Sequence, residues 1–259
     1  ASDLSYNHGV VNYTYAGATQ TATVTPKSEM VTWSFPINNG STDKHGIEYS
    51  LDFGTFAPLR TSLNVDGAWF HIKRKSETPS VYFIQKDYDY ASVLPAGEGS
   101  VSDRFNTNFR FITHIPQVKM IFTTTLQVVW YESSRIIYED KAGASLYHLS
   151  AGGTHYVVSP SGFYNRQAQW TPWQTSYDND PRYSNIARNF MIYAFKADNI
   201  SPWAMLNFRF TKELGKVAEL SFMANNFLNM RKYHVNSNSG TKSKLHPDSY
   251  FGAEIKLKF

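Results

Sequence analysis

The 259-residue chain contains no cysteine, few charged residues and no long apolar run. The lack of cysteine excludes disulfides, zinc fingers with cysteine ligands and a cysteine nucleophile. Charged residues make up 18% of the chain, against about 25% in ordinary soluble domains. No stretch approaches the roughly 18–20 consecutive apolar residues of a membrane-spanning helix, so a helical membrane protein is excluded.

Aromatic residues are abundant and make up 16% of the chain, within a hydrophobic fraction of 42%. This composition excludes a disordered chain, which needs low hydrophobicity and high net charge. The net charge is +4, and the densest basic run, 71–75, is short. A nucleic-acid-binding protein should instead show a basic stripe or a known module, so no nucleic-acid partner is predicted. A membrane β-barrel stays compatible, because its alternating strands average to a mildly polar hydropathy.

Two-residue alternation is the dominant pattern. In 250–259 the odd positions are apolar or aromatic, whereas the even positions include Glu254, Lys256 and Lys258. Such alternation predicts a strand with one apolar and one polar face. The same pattern recurs in six further segments, which are 47–56, 60–72, 105–115, 118–130, 204–211 and 217–228.

The connections between these predicted strands alternate between short and long. Short links lie at 57–59, 116–117 and 212–216. The long links, which we expect to be extracellular loops, are roughly 73–103, 132–201 and 229–248. Short turns at one end and long loops at the other are typical of an outer-membrane barrel, whereas a soluble sandwich has more even spacing.

The carboxyl-terminal segments 218–229 and 249–259 resemble the last two strands of TonB-dependent outer-membrane transporters, nearest to those of Bacteroidetes-type bacteria. The segments 46–53, 61–70, 105–116 and 201–213 resemble further strands of these barrels. The resemblance covers about residues 44–259 and is weakest in 133–188. It does not identify a substrate.

The resemblance implies a 22-stranded antiparallel transmembrane barrel with an amino-terminal plug, and a TonB box that engages the energy-transducing partner. This sequence shows only seven or eight strands, the eighth within 7–38, and neither a plug nor a TonB box. We therefore expect residues 1–259 to be the carboxyl-terminal part of such an all-β barrel, as a fragment or a split subunit. An open sheet would expose unpaired edges to lipid, so the rest of the barrel must come from elsewhere.

The implied function is active nutrient import at the bacterial outer membrane, with a glycan, peptide or other large nutrient as substrate. The implied partners are outer-membrane lipid, the plug and remaining barrel, TonB acting through that plug, and a surface lipoprotein. The polar positions of the strands would face the lumen, where they either line the substrate path or hydrogen-bond the plug; we favour the second role. These positions are Glu48, Asp52, Asn106, Asn108, Arg110, Arg209, Glu219 and Glu254.

The region 133–201 is rich in aromatic residues, which stack on sugar rings and peptide side chains. One hypothesis is that it lines an external substrate cavity; the other is that its aromatic side chains pack the loop on itself. The residues predicted to bind substrate are Tyr164, Arg166, Trp170, Trp173 and Tyr177.

No motif supports catalysis, a cofactor or a metal. His148 and His155 share a loop, but no histidine pair has the spacing of a known ligand motif. The acidic clusters 87–89 and 178–180 lack the glycine and distal glutamate of a calcium loop, so we expect them to form turns. The chain is therefore predicted not to be an enzyme.

Two alternatives to the importer remain open. The first is a soluble, secreted β-sandwich that binds carbohydrate, because alternation alone does not distinguish a face toward water from a face toward a lumen. The second is a small, complete eight-stranded outer-membrane barrel with an adhesive or structural role.

Overall fold

The computed structural model describes residues 10–15, 18–23, 37–83, 90–165, 167–228, 233–236, 238–244 and 248–258. Its regular elements are strands and two short 3-10 helices, Pro116–Val118 and Thr175–Asn179. The predicted all-β, antiparallel class is confirmed. The strands are β1 (Val10–Tyr15), β2 (Ala18–Thr23), β3 (Gly40–Phe56), β4 (Thr61–Ser76), β5 (Ser80–Phe83), β6 (Tyr90–Leu94), β7 (Glu98–Ile115), β8 (Met120–Tyr138), β9 (His148–Leu149), β10 (His155–Val158), β11 (Gly162–Asn165), β12 (Trp170–Pro172), β13 (Arg188–Met191), β14 (Asp198–Ile200), β15 (Trp203–Leu214), β16 (Ala218–Asn225), β17 (Tyr233–Val235), β18 (Lys242–Lys244) and β19 (Tyr250–Leu257).

The chain divides into two compact units. Unit 1 consists of residues 1–41, 75–99 and 137–192, and unit 2 of residues 42–74, 100–136 and 193–259. The boundaries fall near the ends of β3, β4, β7 and β8. Unit 2 therefore contains most of each long strand, whereas unit 1 is built largely from the long connections between them.

Unit 2 is dominated by one sheet with the order β19-β16-β15-β8-β7-β4-β3, to which β14 adds by pairing with β8. Tight turns join β3 to β4, β7 to β8 and β15 to β16. Each turn contains one residue with positive φ, which is Arg60, Lys119 or Gly215. Only the third turn uses glycine, the residue that adopts this conformation without steric cost. Within the described residues, β19 and β3 are the two edge strands of this sheet, and they do not pair with each other.

The registers of this sheet align the apolar positions of neighbouring strands. Phe210 lies opposite Phe122 on one side and Phe222 on the other. The ring centroids of Phe210 and Phe122 are 5.3 Å apart, and those of Phe210 and Phe222 are 6.2 Å apart. In β16 and β19, Leu220 lies opposite Ile255. One face of the sheet is therefore apolar over several strands, as the alternation predicted.

Much of this apolar face is exposed. Phe251 and Ile255 of β19 are 73% and 69% exposed, and Ile47 and Phe53 of β3 are 67% and 64% exposed. A large apolar surface without a protein cover marks contact with a partner or a membrane.

A glycine permits a close crossing on the same face. A Cβ at Gly67 would lie 2.4 Å from the Asn106 backbone carbonyl oxygen and 2.3 Å from the Tyr49 hydroxyl oxygen, so only glycine fits here. The Tyr49 hydroxyl extends to Thr107, with 2.5 Å between the Oη and Oγ1 atoms. The Trp130 indole donates to the same Oγ1 at 2.9 Å. This chain of contacts ties together β3, β4, β7 and β8 and fixes their register.

Unit 1 contains a four-stranded sheet of order β12-β11-β6-β5 and a three-stranded sheet of order β13-β10-β9. It has a conventional interior, because Leu94, Val158 and Ile186 are at most 2% exposed. Tyr138 is also fully buried and donates its hydroxyl hydrogen to the Pro95 carbonyl at 2.8 Å. Burial raises the pKa of Tyr138 to about 12.

All seven predicted strand segments of unit 2 coincide with observed strands, but several observed strands are longer. For example, β7 begins at Glu98 rather than 105, and β8 ends at Tyr138 rather than 130. The expected loops 73–103, 132–201 and 229–248 contain short strands. The eighth strand expected in 7–38 does not join the large sheet within the described residues, since β1 and β2 pair with each other. Among the described residues, no helix is long and apolar enough to span a membrane.

Candidate functional site

A cavity of about 320 Å³ lies in unit 1. It is lined by the ends of β10 and β13 and by the segment that follows β12. Val157 of β10 lies opposite Asn189 of β13, and both residues line the cavity. The antiparallel pairing of two strands therefore forms one wall, and the irregular segment 173–187 contributes to the rest.

Three aromatic side chains in that segment line the cavity and contact one another. The rings of Tyr177 and Tyr183 stack with centroids 4.1 Å apart. The Trp173 ring meets them edge-on, at 5.4 Å from Tyr177 and 6.4 Å from Tyr183. Edge-to-face and stacked pairs at these distances are the favoured aromatic geometries. The three rings form a continuous apolar wall, which we call the aromatic wall.

Asp178 is fixed against the aromatic wall by two neutral donors. The Trp173 indole Nε1 donates to Asp178 Oδ1 at 3.0 Å, and the Ser159 hydroxyl donates to the same oxygen at 2.7 Å. The carboxylate is partly buried and lines the cavity. Neither donor carries a charge, so this pair of bonds orients the carboxylate without neutralising it.

Asp180 also lines the cavity, but its charge is neutralised locally. The Arg182 guanidinium donates to both carboxylate oxygens, with the shortest bond, from Nη2 to Oδ2, at 2.6 Å. This hydrogen bonding holds the pKa of the Asp180 carboxyl below its usual value. The Arg182 backbone N–H also donates to Asp180 Oδ1 at 2.9 Å. Asp180 therefore forms a turn of the kind predicted for the 178–180 cluster, whereas Asp178 does not. The other cluster predicted to form a turn, 87–89, lies outside the described residues.

His155 is the one basic residue among the described residues that line the cavity. Its ring Nδ1 lies 2.9 Å from the Thr154 hydroxyl. His148, which was considered as its possible metal partner, lies on β9 opposite Val157. Among the described residues no group of three or more metal-ligating side chains occurs.

The four residues predicted to bind substrate that the structure describes form two separate pairs, and one of these pairs lies at the cavity. Trp173 and Tyr177 line the cavity. Tyr164 and Trp170 are cross-strand neighbours on β11 and β12, with ring centroids 4.9 Å apart, and are 40% and 43% exposed. They do not line the cavity, whereas Arg166 lies outside the described residues.

Sequence reasoning did not include Tyr183, Asp178, His155 or Asn189 among the binding residues. These residues come from three segments that only the folded chain brings together. The sequence shows both the acidic cluster 178–180 and the aromatic residues of 133–201, but the first predicted a turn and the second a binding surface. The adjacency of Trp173, Tyr177 and Asp178 was the one local signal that could have combined them.

The positions predicted to face a lumen lie mainly on the polar side of the unit 2 sheet, where several bond across strands. Arg209 donates from Nη2 to Glu254 Oε2 at 2.7 Å and to the Ser221 hydroxyl at 3.2 Å. Glu219 pairs with Lys258 at 2.5 Å. Both pairs are partly exposed, so each contributes little to the free energy of unfolding.

The amino-terminal strands of the sheet carry further polar residues. Asn108 donates to Asp66 at 2.8 Å. Glu48 and Asn106 line a second cavity of about 420 Å³. Asp52 instead accepts the Gly54 backbone N–H at 2.8 Å, so its carboxylate bonds within its own strand. Arg110 is exposed.

Comparisons of the chain with models of known protein families, with curated proteins and with solved structures found no match.

Proposed function

We propose that the chain is the barrel part of a TonB-dependent active nutrient importer in the bacterial outer membrane. The single observation that carries the proposal is the exposed apolar face of the unit 2 sheet. Residues such as Phe251, Ile255 and Ile47 expose about two thirds or more of their surface on that face. In a soluble protein such a face would be covered, whereas in a bilayer lipid covers it.

The opposite face supports the same assignment. There, the Arg209 guanidinium donates to Glu254 and to the Ser221 hydroxyl, which joins three neighbouring strands. A polar interior and an apolar exterior on alternate residues are the pattern of outer-membrane strands. In this proposal the unit 2 parts of the long strands are the membrane-spanning segments, and the polar face is directed at a plug.

Strand length and connectivity agree with this interpretation. A tilted strand of about 9–11 residues crosses a bilayer, and β15 contains 12 residues. Three tight turns join consecutive strands of the sheet, and they alternate along the chain with long connections. The long connections would then be the external, ligand-facing segments. The remaining strands, the plug, TonB and a surface lipoprotein would be partners supplied by other segments or chains.

The proposal is tested by localising the chain in the cells that naturally produce it, where the segments or chains that complete the barrel are present. We expect the folded chain to require detergent for extraction from the outer membrane. We also expect externally added protease to cleave unit 1 in intact cells while the unit 2 strands resist digestion. Extraction into detergent-free buffer as a folded monomer would overturn the assignment and favour the soluble β-sandwich.

A further inference from the structure

The cavity of unit 1 contains one charge that the described side chains do not balance. Among the described residues that line it, the acidic and basic ones are His155, Asp178 and Asp180. Asp180 is neutralised by its multiple bonds with Arg182. Asp178 accepts only from the Trp173 indole and the Ser159 hydroxyl, which are neutral donors. The cavity therefore holds an oriented carboxylate that no charged side chain among the described residues contacts.

The geometry of Asp178 leaves an acceptor available. Both hydrogen bonds end on Oδ1, and among the described residues Oδ2 accepts none. A carboxylate can accept two or more hydrogen bonds on each oxygen. Because Trp173 and Ser159 hold Oδ1, the direction of Oδ2 is set before any ligand arrives, which reduces the entropic cost of binding.

The aromatic wall, made of Trp173, Tyr177 and Tyr183, is the second part of the site. Tyrosine and tryptophan rings attract cations through the negative charge on their faces, and tryptophan does so most strongly. Asp178 is joined directly to this wall by the indole hydrogen bond. A carboxylate beside aromatic rings in a concave site is the combination that recognises an organic cation.

We propose that this cavity binds a small organic cation that carries a guanidinium or primary ammonium group. The cationic group donates to Asp178 Oδ2, and the adjoining carbon chain packs on the aromatic wall. A cavity of about 320 Å³ matches a ligand of this size. The inference concerns unit 1 alone and goes beyond the importer proposal, since it holds whether or not unit 2 lies in a membrane.

The test uses two probes of nearly equal shape and different charge, butylguanidinium and butylurea. Binding to the full chain in detergent is measured by isothermal titration calorimetry at about pH 8, where histidine is ordinarily neutral. We expect butylguanidinium to bind at least about tenfold more tightly than butylurea, because charged hydrogen bonds are the stronger ones. Raising the salt concentration should weaken only the cationic probe.

Two variants give an independent check. Asp178→Asn removes the charge but keeps an oxygen for Trp173 and Ser159, and it should weaken butylguanidinium binding about tenfold or more. Asp140→Asn is the matched control in unit 1. Its carboxylate accepts the Ala144 backbone N–H at 2.8 Å and does not line the cavity. This control should leave butylguanidinium binding unchanged, and near-ultraviolet circular dichroism checks that both variants are folded.

Several outcomes would overturn the inference. Equal affinity for the two probes in the wild-type chain would do so even if Asp178→Asn failed to fold. An equal loss of affinity in Asp178→Asn and Asp140→Asn would show a general charge effect. Binding of glucose or maltose, with neither probe bound, would identify a neutral sugar site. Failure of this test would leave the localisation test untouched, because the two depend on different units.

Discussion

The two units of this protein differ in where their hydrophobic residues are covered. Unit 1 encloses Leu94, Val158, Ile186 and Tyr138, each at most 2% exposed, as a water-soluble domain does. Unit 2 instead leaves an apolar sheet face open, including Leu51 at 51% and Leu257 at 59% exposure. Leucine and other apolar residues therefore lie in a packed interior in unit 1 and on an open sheet face in unit 2. Their local sequence pattern does not distinguish the two, but their burial in the folded chain does.

The largest expected effect is the loss of a buried side chain in unit 1. Leu94→Ala should destabilise that unit by about 2–5 kcal/mol, because it removes packed methyl groups and leaves a cavity. Leu51→Ala is the matched change at an exposed leucine of unit 2, with an expected effect within about 0.5 kcal/mol in detergent. Hydrogen exchange in each unit, recorded at increasing denaturant concentration, measures both effects. Equal costs would mean that the units do not differ as described.

The next comparison places a charge on each face of one strand. Leu51→Lys should reduce the folding free energy of the membrane-inserted sheet by up to about 2–4 kcal/mol, because the lysine would face lipid. Ser50→Lys lies on the polar face of β3 and is also exposed, so it should be tolerated. Outer-membrane yield and resistance to heat in detergent measure the difference. If both variants assembled as the wild type does, the apolar face would not be in lipid.

High pH should affect unit 1 through Tyr138. Its pKa is raised to about 12, so the folded chain keeps a proton that the unfolded chain loses above its ordinary pKa of 10.0. The stability due to this group is complete below pH 10 and is lost as the pH rises to about 12. The loss is on the order of 2–3 kcal/mol, at about 1.36 kcal/mol for each pKa unit. Tyrosinate absorbance and hydrogen exchange between pH 9 and pH 12 measure it.

Tyr138→Phe is the control for that titration. It removes the ionisable group and the hydrogen bond to Pro95, which costs about 0.5–1.5 kcal/mol at neutral pH. The variant should then lose less stability than the wild type over the alkaline range. A loss of the same size in both proteins would assign the effect to other groups.

The smallest expected effect is that of the Arg209–Glu254 pair in unit 2. Both side chains are nearly half exposed, so a double-mutant cycle with Arg209→Met and Glu254→Gln should give a coupling of about 0.2–1 kcal/mol. Chemical denaturation in detergent measures it. A coupling well above this range would show that the pair is shielded from water more than its exposure in the structure indicates.

The alternation was sufficient to predict the strands of the large sheet, because a two-residue period fixes which side chains share a face. It predicted the strand ends poorly. For example, β8 continues through Glu132, Ser133 and Ser134, where polar residues occupy successive positions and the period disappears. The strands inside the long connections are two to five residues long, too short to show a period.

The cavity was largely beyond prediction from the sequence. Ser159 and Asp178 are 19 positions apart, and His155 is farther still, so no local spacing relates them. Trp173 and Tyr177 were predicted from their chemistry alone. Tyr164 and Trp170 have the same chemistry but lie on a different surface, because β11 and β12 place them on the outside of their sheet.

The two edge strands of the large sheet differ in length, and this constrains how the sheet could be completed. Within the described residues, β3 contains 17 residues and pairs on one side with β4, while β19 contains eight and pairs with β16. If β3 of one copy met β19 of another, nine residues of β3 would still lack a partner backbone. The free edges of β3 and β19 therefore need two different neighbouring strands, and the strand beside β3 must be long. A head-to-tail ring of identical copies would leave part of each β3 edge without a hydrogen-bonding partner.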